Sequence, residues 1–172
     1  MKRKLLSALL ATAMTMTVVA GTGIAVSADG EAVVSTVMFS DPDTMDPGRA
    51  DDDQKNSIVL ECQETLVRLI DGKLTNAGAE SYETSDDGLV WTFHLRDNKY
   101  SDGTPVVAED YVNSIRRVFD PEVNCHNAGI FYCIAGGEAF NTGSGAKEDV
   151  GAKAIDDKTL EITLTEPIPY FA

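Results

Sequence analysis

The sequence predicts an α+β fold in which a helix packs against half-buried antiparallel hairpins. Two stretches, residues 91–96 and 159–164, alternate apolar and polar side chains with the period of two that buries one face of a strand. A helical pattern at residues 108–117 lies between them, and a strand and a helix precede the first hairpin. The order is therefore strand, helix, hairpin, helix, hairpin, and two such hairpins can share one sheet.

Residues 1–28 are predicted to be a signal peptide. A basic start, Met1 to Lys4, precedes a largely apolar run that ends at the small-residue cleavage site Val26-Ser27-Ala28. Threonines interrupt the apolar run and no stop-transfer charges follow, so a removable leader is favoured over a membrane span. The cleavage region has no cysteine for a lipid anchor, and we expect an exported protein in a periplasm or at the outer face of the cell envelope.

Beyond this leader the chain is strongly acidic, with 28 Asp and Glu against 11 Lys and Arg, a net charge of −17. Nucleic acid and anionic lipid are disfavoured as partners, because a binder of either needs a concentrated basic face. The acidity would suit cationic ligands, but a solvated surface that keeps the protein soluble is the simpler interpretation.

An apolar run at residues 33–39 predicts a central strand, and a polar loop with two prolines and a glycine follows it at residues 40–48. Loops at the ends of such strands commonly line ligand clefts, because the rigid sheet positions them. On the residues alone, an ordinary surface turn is the simpler interpretation.

The next segment, Asp51 to Leu69, is predicted to be one helix with aspartates at its start and apolar residues along one face. Cys62 falls on that face, which predicts a buried thiol without a catalytic role. Residues 73–79 are expected to cross into the first hairpin, whose turn is Ser85-Asp86-Asp87-Gly88.

A second helix is predicted from the apolar spacing of Val112, Ile115 and Val118, with two carboxylates in its first turn and Pro121 beyond its end. The preceding residue, Val107, has no side-chain oxygen for the first free N–H groups, so about 1 kcal/mol of capping is expected to be absent.

The least regular stretch, residues 120–149, contains Cys125, His126 and Cys133, and a loop is predicted at residues 141–145. A zinc site is disfavoured because a fourth ligand is missing and the spacing matches no familiar pattern. Cys125 and Cys133 are candidates for a disulfide in an oxidising compartment, and two unpaired structural cysteines are the alternative.

The sequence contains no recognisable catalytic set. Its two histidines, His94 and His126, lie outside any nucleophile elbow, and glycine-rich phosphate loops are absent. His94 is interpreted as a solvated or hydrogen-bonded imidazole on the polar face of its strand. Nothing selects a glycosidase-like pair among the many carboxylates, so no enzyme activity and no cofactor are expected.

Three blocks carry a family resemblance. DDGLVWTFHLRDNKYSDGTPVVAED, TMDP at residues 44–47 and VGAKAIDDKTLEITLTEPIPYF at residues 150–171 resemble extracellular solute-binding proteins of family 5, which serve ABC peptide importers, most closely the oligopeptide-binding branch. The blocks occur in the family's order and cover most of the chain after the leader. Val107 departs from the family pattern, which usually has Thr or Ser before A-E-D.

The resemblance implies a periplasmic-binding-protein-like fold of type II with an incomplete first lobe. Residues 29–78 would begin lobe I, and residues 79–172 would form its smaller subdomain, truncated at the C-terminus. We expect truncation because the chain stops in an apolar stretch, Pro167 to Ala172, whereas members of the family are longer and have a second lobe.

The resemblance also implies a function, namely capture of oligopeptides by a monomer and their delivery to ABC permease subunits in the membrane. The implied ligand-binding residues are Ser40, Asp41, Pro42, Asp43 and Thr44. Other members of the superfamily bind nickel, haem or sugars, and these small solutes are an alternative. A secreted enzyme or an envelope interaction module is the alternative of a different class.

Overall fold

The computed structural model describes residues 24–26, 32–34, 41, 42, 44–50 and 52–172. It divides the chain into two compact units, residues 1–41 and residues 42–172. In the first unit, strand β1 (Ile24–Val26) pairs antiparallel with strand β2 (Ala32–Val34). Most of the predicted signal peptide and residues 35–39 of the predicted first strand lie outside the described residues.

The second unit begins with a short 3-10 helix (Pro47–Arg49) and helix α1 (Asp53–Cys62). Strands β3 (Val67–Ile70) and β4 (Lys73–Asn76) then form a separate antiparallel hairpin. The prediction of one helix from Asp51 to Leu69 is therefore wrong beyond Cys62. Asp71 and Gly72 have positive φ angles of 50° and 74°. Such angles are typical of a tight hairpin turn, and the residues on either side of the turn form strands.

The expectation that Cys62 is buried is also wrong. Cys62 lies at the last position of α1 and is exposed, not buried. The apolar face predicted for a longer helix does not form, because the residues that would have extended it belong to β3. Leu69 and Leu74, paired across the hairpin, are exposed as well.

The main sheet has four antiparallel strands in the order β5-β6-β8-β7: β5 (Ala79–Thr84), β6 (Val90–Leu95), β7 (Ala152–Asp156) and β8 (Thr159–Thr163). Trp91 pairs with Ile162 and Phe93 with Leu160, so the apolar residues of both predicted hairpins share one face. These four side chains are at most 6% exposed. The predicted alternation and the shared sheet are confirmed.

The turn between β5 and β6 follows the predicted chemistry. The Ser85 hydroxyl donates to Asp87 Oδ1 at 2.6 Å, and the Leu89 N–H donates to the same carboxylate at 3.1 Å. Gly88 has a φ of 72°, a conformation that glycine adopts without steric cost. The turn sets the register of the two strands from Thr84 back to Ser81, and the register shifts between Ser81 and Ala79.

Helix α2 (Ala108–Val118) packs on β7 and β8 through its apolar side, where Val112 is 1% exposed. The Val107 side chain makes no cap, as predicted, but its backbone N–H donates to Asp110 Oδ2 at 2.9 Å. One half of a capping box is therefore present and begins the helix without a hydroxyl residue.

Short helices occupy residues 120–149: a 3-10 turn (Ala128–Phe131), helix α3 (Gly137–Asn141) and a second 3-10 turn (Lys147–Asp149). Asn141, predicted to begin a loop, instead ends α3. Its amide donates to the Phe119 carbonyl at 3.0 Å and its oxygen accepts from the Tyr132 hydroxyl at 2.7 Å. The Phe119 ring is fully buried, and residues 165–172 then return so that Phe171 packs on Trp91.

Candidate functional site

The predicted ligand loop is partly described. Ser40 and Asp43 lie outside the described residues, and Asp41 is exposed at the end of the first unit. Pro42 and Thr44 are half-buried and begin the second unit. The Thr44 hydroxyl oxygen accepts a hydrogen bond from the Asp46 N–H at 3.1 Å, which links the loop to the residues that follow it.

Asp46 takes part in the hydrogen bonds that hold this segment together. It is the N-cap of the 3-10 helix, where its Oδ1 accepts from the Gly48 N–H at 3.0 Å. The guanidinium of Arg117, near the end of α2, donates to both carboxylate oxygens, at 2.8 Å to Oδ1 and 2.6 Å to Oδ2. A two-bond pair of this kind fixes the orientation of both groups. We call it the Asp46–Arg117 pair.

The pair shifts the acidity of both partners. The hydrogen bonds from Arg117 hold the pKa of Asp46 below its usual value of 3.8 and outweigh the opposing effect of burial. The pKa of Arg117 is correspondingly raised by the Asp46 carboxylate. The Asp46 side chain is 24% exposed and that of Arg117 47%, so water screens the attraction and its net contribution is modest.

A pH-dependent contribution to stability follows. Because folding depresses the pKa of Asp46, its stabilisation is fully present above the ordinary value of 3.8 and is lost as the pH falls through the lower folded value. At pH 6 we expect Asp46→Asn to lower the free energy of unfolding by about 1 kcal/mol. As the pH falls below 3.8, that difference should shrink toward zero.

Urea denaturation of the wild type and of Asp46→Asn at several pH values measures this difference. Asp86→Asn, at an exposed turn position, is the matched control and should show no such trend. A deficit in Asp46→Asn that does not shrink as the pH falls below 3.8 would mean that the charge is not the cause.

The Asp46–Arg117 pair borders a cleft of about 710 Å³, a size that suits a small ligand. Its described walls come from the 3-10 helix, the end of α1, the turn after β6 and one side of α2. The lining residues are Asp46, Pro47, Cys62, Gln63, Glu64, Asn98, Lys99, Tyr100, Ser101, Val106, Asp110, Tyr111, Ser114 and Arg117.

Two tyrosines, Tyr100 and Tyr111, line the cleft near carboxylates. Burial, and then the charge of Asp110, raises the pKa of Tyr100, while burial, and then the charge of Glu64, raises the pKa of Tyr111. Both phenols therefore keep their protons at neutral pH and are available as hydrogen-bond donors. Glu64 itself lies 2.8 Å from the guanidinium of Arg96. Two of the carboxylates that line the cleft are paired with guanidinium groups, Asp46 with Arg117 and Glu64 with Arg96.

The cleft residues were missed by the sequence interpretation, which ended the predicted site at Thr44. Asp46 belongs to the TMDP block, so the resemblance gave a signal for it. The sequence gave no signal for Arg117, because a basic residue is common in the last turn of a helix. Pro42 and Thr44 are not among the residues that line the cleft.

The cysteines are unbonded thiols in the structure. Cys125 and Cys133 are both half-buried against the core, and burial raises the pKa of Cys133. The Cys125–Cys133 disulfide stays a prediction. Cys62 lines the cleft at the end of α1.

Within the described part of the chain, no group of three or more His, Cys, Asp and Glu side chains could hold a metal ion. His94 lies on the polar face of β6, with its Nε2 atom 3.8 Å from Glu83. No helix formed by the described residues is long and apolar enough to cross a membrane.

Comparison with known proteins identifies the class of protein to which this chain belongs. A model of the family described as bacterial extracellular solute-binding proteins, family 5 (middle), matches residues 73–172. The solved structure of Listeria monocytogenes OppA bound to peptide superimposes with a TM-score of 0.71 at 40% identity, over 73% of this chain and 25% of that one. The mixed fold is therefore that of a periplasmic-binding-type protein.

Curated relatives agree with this class. The periplasmic oligopeptide-binding protein OppA of Escherichia coli is 42% identical over 136 residues, 77% of this chain and 25% of its own length. The oligopeptide-binding protein OppA of Bacillus subtilis is 37% identical over 144 residues, 83% and 26%. The chain belongs to family 5 of the bacterial extracellular solute-binding proteins, and it spans about a quarter of the length of these relatives.

Proposed function

We propose that the protein captures oligopeptides outside the cytoplasmic membrane and delivers them to the permease subunits of an ABC importer. Membership of family 5 is the observation that carries this proposal. Two relatives are named as oligopeptide-binding proteins, and a solved neighbour of similar fold holds a peptide. The protein binds its ligand and releases it unchanged, without catalysis.

Such a binder accepts many sequences if it bonds the peptide main chain and leaves the ligand side chains in roomy, hydrated pockets. We assign part of this role to the loop Ser40, Asp41, Pro42, Asp43 and Thr44. Thr44, the last residue of this loop, accepts a hydrogen bond from the N–H of Asp46, and Asp46 is paired with Arg117. Groups that are held in place before the ligand arrives improve affinity, because less order has to be gained on binding.

We also propose where the protein works and in what state of assembly. Residues 1–28 serve as an export signal, and the mature protein works as a monomer at the outer side of the membrane. Residues 29–78 begin lobe I and residues 79–172 form its smaller subdomain. The relatives named as periplasmic support the location.

The function can be tested by isothermal titration calorimetry. A mixture of short peptides is titrated into the complete product of the gene that encodes this chain. We expect stoichiometric binding of unmodified peptides. Mass spectrometry of the recovered ligands is the control for chemistry, because hydrolysed or modified peptides would favour a secreted enzyme. Absence of peptide binding, together with binding of nickel, haem or another small solute, would overturn the assigned ligand class.

A sharper test concerns Asp41, which is exposed at the end of the first unit. We expect its carboxylate to pair with a basic side chain or an amine of the ligand. Asp41→Asn should then weaken peptides that carry a nearby Lys or Arg by about three- to tenfold at low salt, and less as salt screens the pair. Neutral peptides should bind almost unchanged.

Asp86→Asn, in the exposed turn between β5 and β6, removes the same charge at a distant point of the sequence and is the matched control. An equal loss for basic and neutral peptides in Asp41→Asn would indicate damage to the loop. No loss for either set would place Asp41 outside the site.

A further inference from the structure

One ion pair joins two walls of the cleft. Glu64, in the wall that follows α1, accepts a hydrogen bond of 2.8 Å at its Oε2 atom from Nη2 of Arg96. Arg96 comes two residues before Asn98, the first lining residue of the turn after β6. The Arg96 backbone N–H donates to the carbonyl of Gly78, just before β5, at 3.1 Å. The Glu64–Arg96 pair therefore connects one wall of the cleft to the base of the other.

The wall after β6 has several hydrogen bonds of its own. The Tyr100 N–H donates to the Thr104 carbonyl at 2.9 Å, and the Thr104 N–H donates to Asp102 Oδ1 at 2.9 Å. The Val106 N–H donates to the Asn98 carbonyl at 3.0 Å. The turn leads directly into α2, which packs on β7 and β8. This wall is therefore held firmly to the main sheet.

The wall after α1 has less support. It continues into the β3–β4 hairpin, in which Val67 and Arg68 are half-buried and the other strand residues are exposed. Leu69 and Ile70 are 73% and 51% exposed. A two-stranded hairpin on its own is only marginally stable in water, and a region with few buried contacts opens at a low cost in free energy. The hairpin is therefore less firmly held than the turn after β6.

Arg68 bonds the end of α1 to this hairpin. Its Nη2 atom donates to the carbonyls of Leu60 and Gln63, at 2.6 Å and 2.9 Å, at the end of the helix where carbonyls lack partners within the helix. Its Nε atom lies 3.0 Å from Oε1 of Glu64. The two oxygens of Glu64 therefore face two guanidinium groups. Arg68 belongs to residues 60–76, which we call the flap, and Arg96 lies outside the flap.

The flap has a fixed point in its middle. The N–H groups of Gly78 and Ala79 donate to the carbonyls of Thr65 and Leu66, at 2.8 Å and 3.0 Å. The Leu66 side chain also packs against the hydrophobic core. Because these contacts hold residues 65 and 66 at the start of β5, a movement of the flap is a rotation about them.

The Glu64–Arg96 pair is weak enough to break and form again. The Glu64 side chain is 32% exposed and that of Arg96 45%, so water and salt screen their attraction. A contact of this kind is broken in a minor fraction of the molecules at equilibrium. It can therefore act as a clasp between two states of the cleft.

We propose that Glu64 is the clasp that holds the flap closed. When the Glu64–Arg96 pair breaks, the flap turns about residues 65 and 66, and the cleft widens between residues 62–64 and residues 98–101. The cleft then has a closed state and an open state, and a ligand of the cleft enters in the open one. This device is independent of the proposed peptide capture.

The test measures the width of the cleft with two spin labels in the complete gene product. One label is placed on Cys62 and the other on Ser101→Cys, because both positions are exposed and line the cleft. Every other cysteine, including Cys125 and Cys133, is replaced by serine. Pulsed electron paramagnetic resonance then gives the distribution of distances between the labels.

Two variants break the clasp. Glu64→Gln removes the charge with little change of shape, and Arg96→Gln removes the partner while leaving the bonds of Arg68 in place. We expect both to raise the population of a longer distance by about three- to tenfold. Glu61→Gln is the matched control, since it removes the same charge from an exposed position in the last turn of α1, and it should leave the distribution unchanged.

Amide hydrogen exchange of the same variants without labels is the second measurement. We expect exchange in residues 60–76 to become about three- to tenfold faster in Glu64→Gln and Arg96→Gln, and exchange in residues 90–95 of β6 to stay the same. Faster exchange in β6 to the same degree would mean a general loss of structure and would overturn the clasp.

Two further results would overturn the inference. An unchanged distance distribution with unchanged exchange of residues 60–76 in both variants would mean that the ion pair does not hold the flap. The same widening in Glu61→Gln would mean that the charge of α1, and not the pair with Arg96, is the cause. None of these measurements uses a peptide, so a failure of the proposed function leaves their outcome as it is.

Discussion

Replacement of Phe93 by alanine is expected to lower the free energy of unfolding by about 3–5 kcal/mol. Phe93 is 2% exposed on β6, an inner strand of the sheet, and its ring lies 5.6 Å from that of Tyr82 and 6.4 Å from that of Trp91. Its partner across the sheet, Leu160, is fully buried. Truncation therefore leaves a cavity between both hairpins and the helix, in addition to the lost burial.

Urea denaturation measured by far-ultraviolet circular dichroism and by fluorescence of Trp91, the one tryptophan of the sequence, gives this difference. Thr92→Ala is the control, because Thr92 is on the same strand and points to the opposite face of the sheet. We expect it to cost no more than about 1 kcal/mol. Equal effects of the two substitutions would mean that the sheet does not bury one face as described.

Replacement of Gly136 by alanine is expected to destabilise the fold by more than about 2 kcal/mol. Gly136 precedes α3 with a φ of 71°, which L-residues rarely adopt. A Cβ atom there would also collide with the backbone carbonyl of Asp149, lying 2.8 Å from its carbon. Backbone atoms cannot rotate aside as a side chain can, so α3 or the following 3-10 turn must move.

Gly143→Ala separates the two causes. Gly143 has a similar φ of 77°, but a Cβ atom placed on it would meet nothing within 4 Å. It should therefore cost only the conformational strain, about 1–2 kcal/mol. Thermal and chemical denaturation of both variants measure the difference. If Gly136→Ala is no worse than Gly143→Ala, the close approach of Asp149 is not maintained in solution.

The four-stranded sheet was predictable because burial imposes a period that the sequence records directly. Alternation along β6 and β8 needs no knowledge of the rest of the chain, and the Ser85–Gly88 turn carries its own chemistry. The β3–β4 hairpin was missed although a local signal exists. Asp71-Gly72 is a dipeptide that strongly favours a hairpin turn. It is stronger evidence for the local structure than the helical spacing of the apolar residues before it.

The Asp46–Arg117 pair could not be predicted in the same way. It joins residues far apart in the sequence, and neither residue has a neighbour pattern that names the other. Charged residues on a very acidic chain are ordinary, so only the tertiary path that returns α2 beside residues 44–49 creates the contact. Sites of this kind depend on topology, whereas the sheet depends on local periodicity.

The sheet order has a consequence for the time course of folding. β5 and β6 meet through a short turn, but β6 completes its pairing only with residues 159–163, after α2 and the short helices have intervened. Closing so long a segment costs entropy before the new contacts repay it. A nascent chain therefore carries an open β6 edge, beside Trp91 and Phe93, for as long as β8 has not arrived. We expect the arrival of β8 to limit the folding rate.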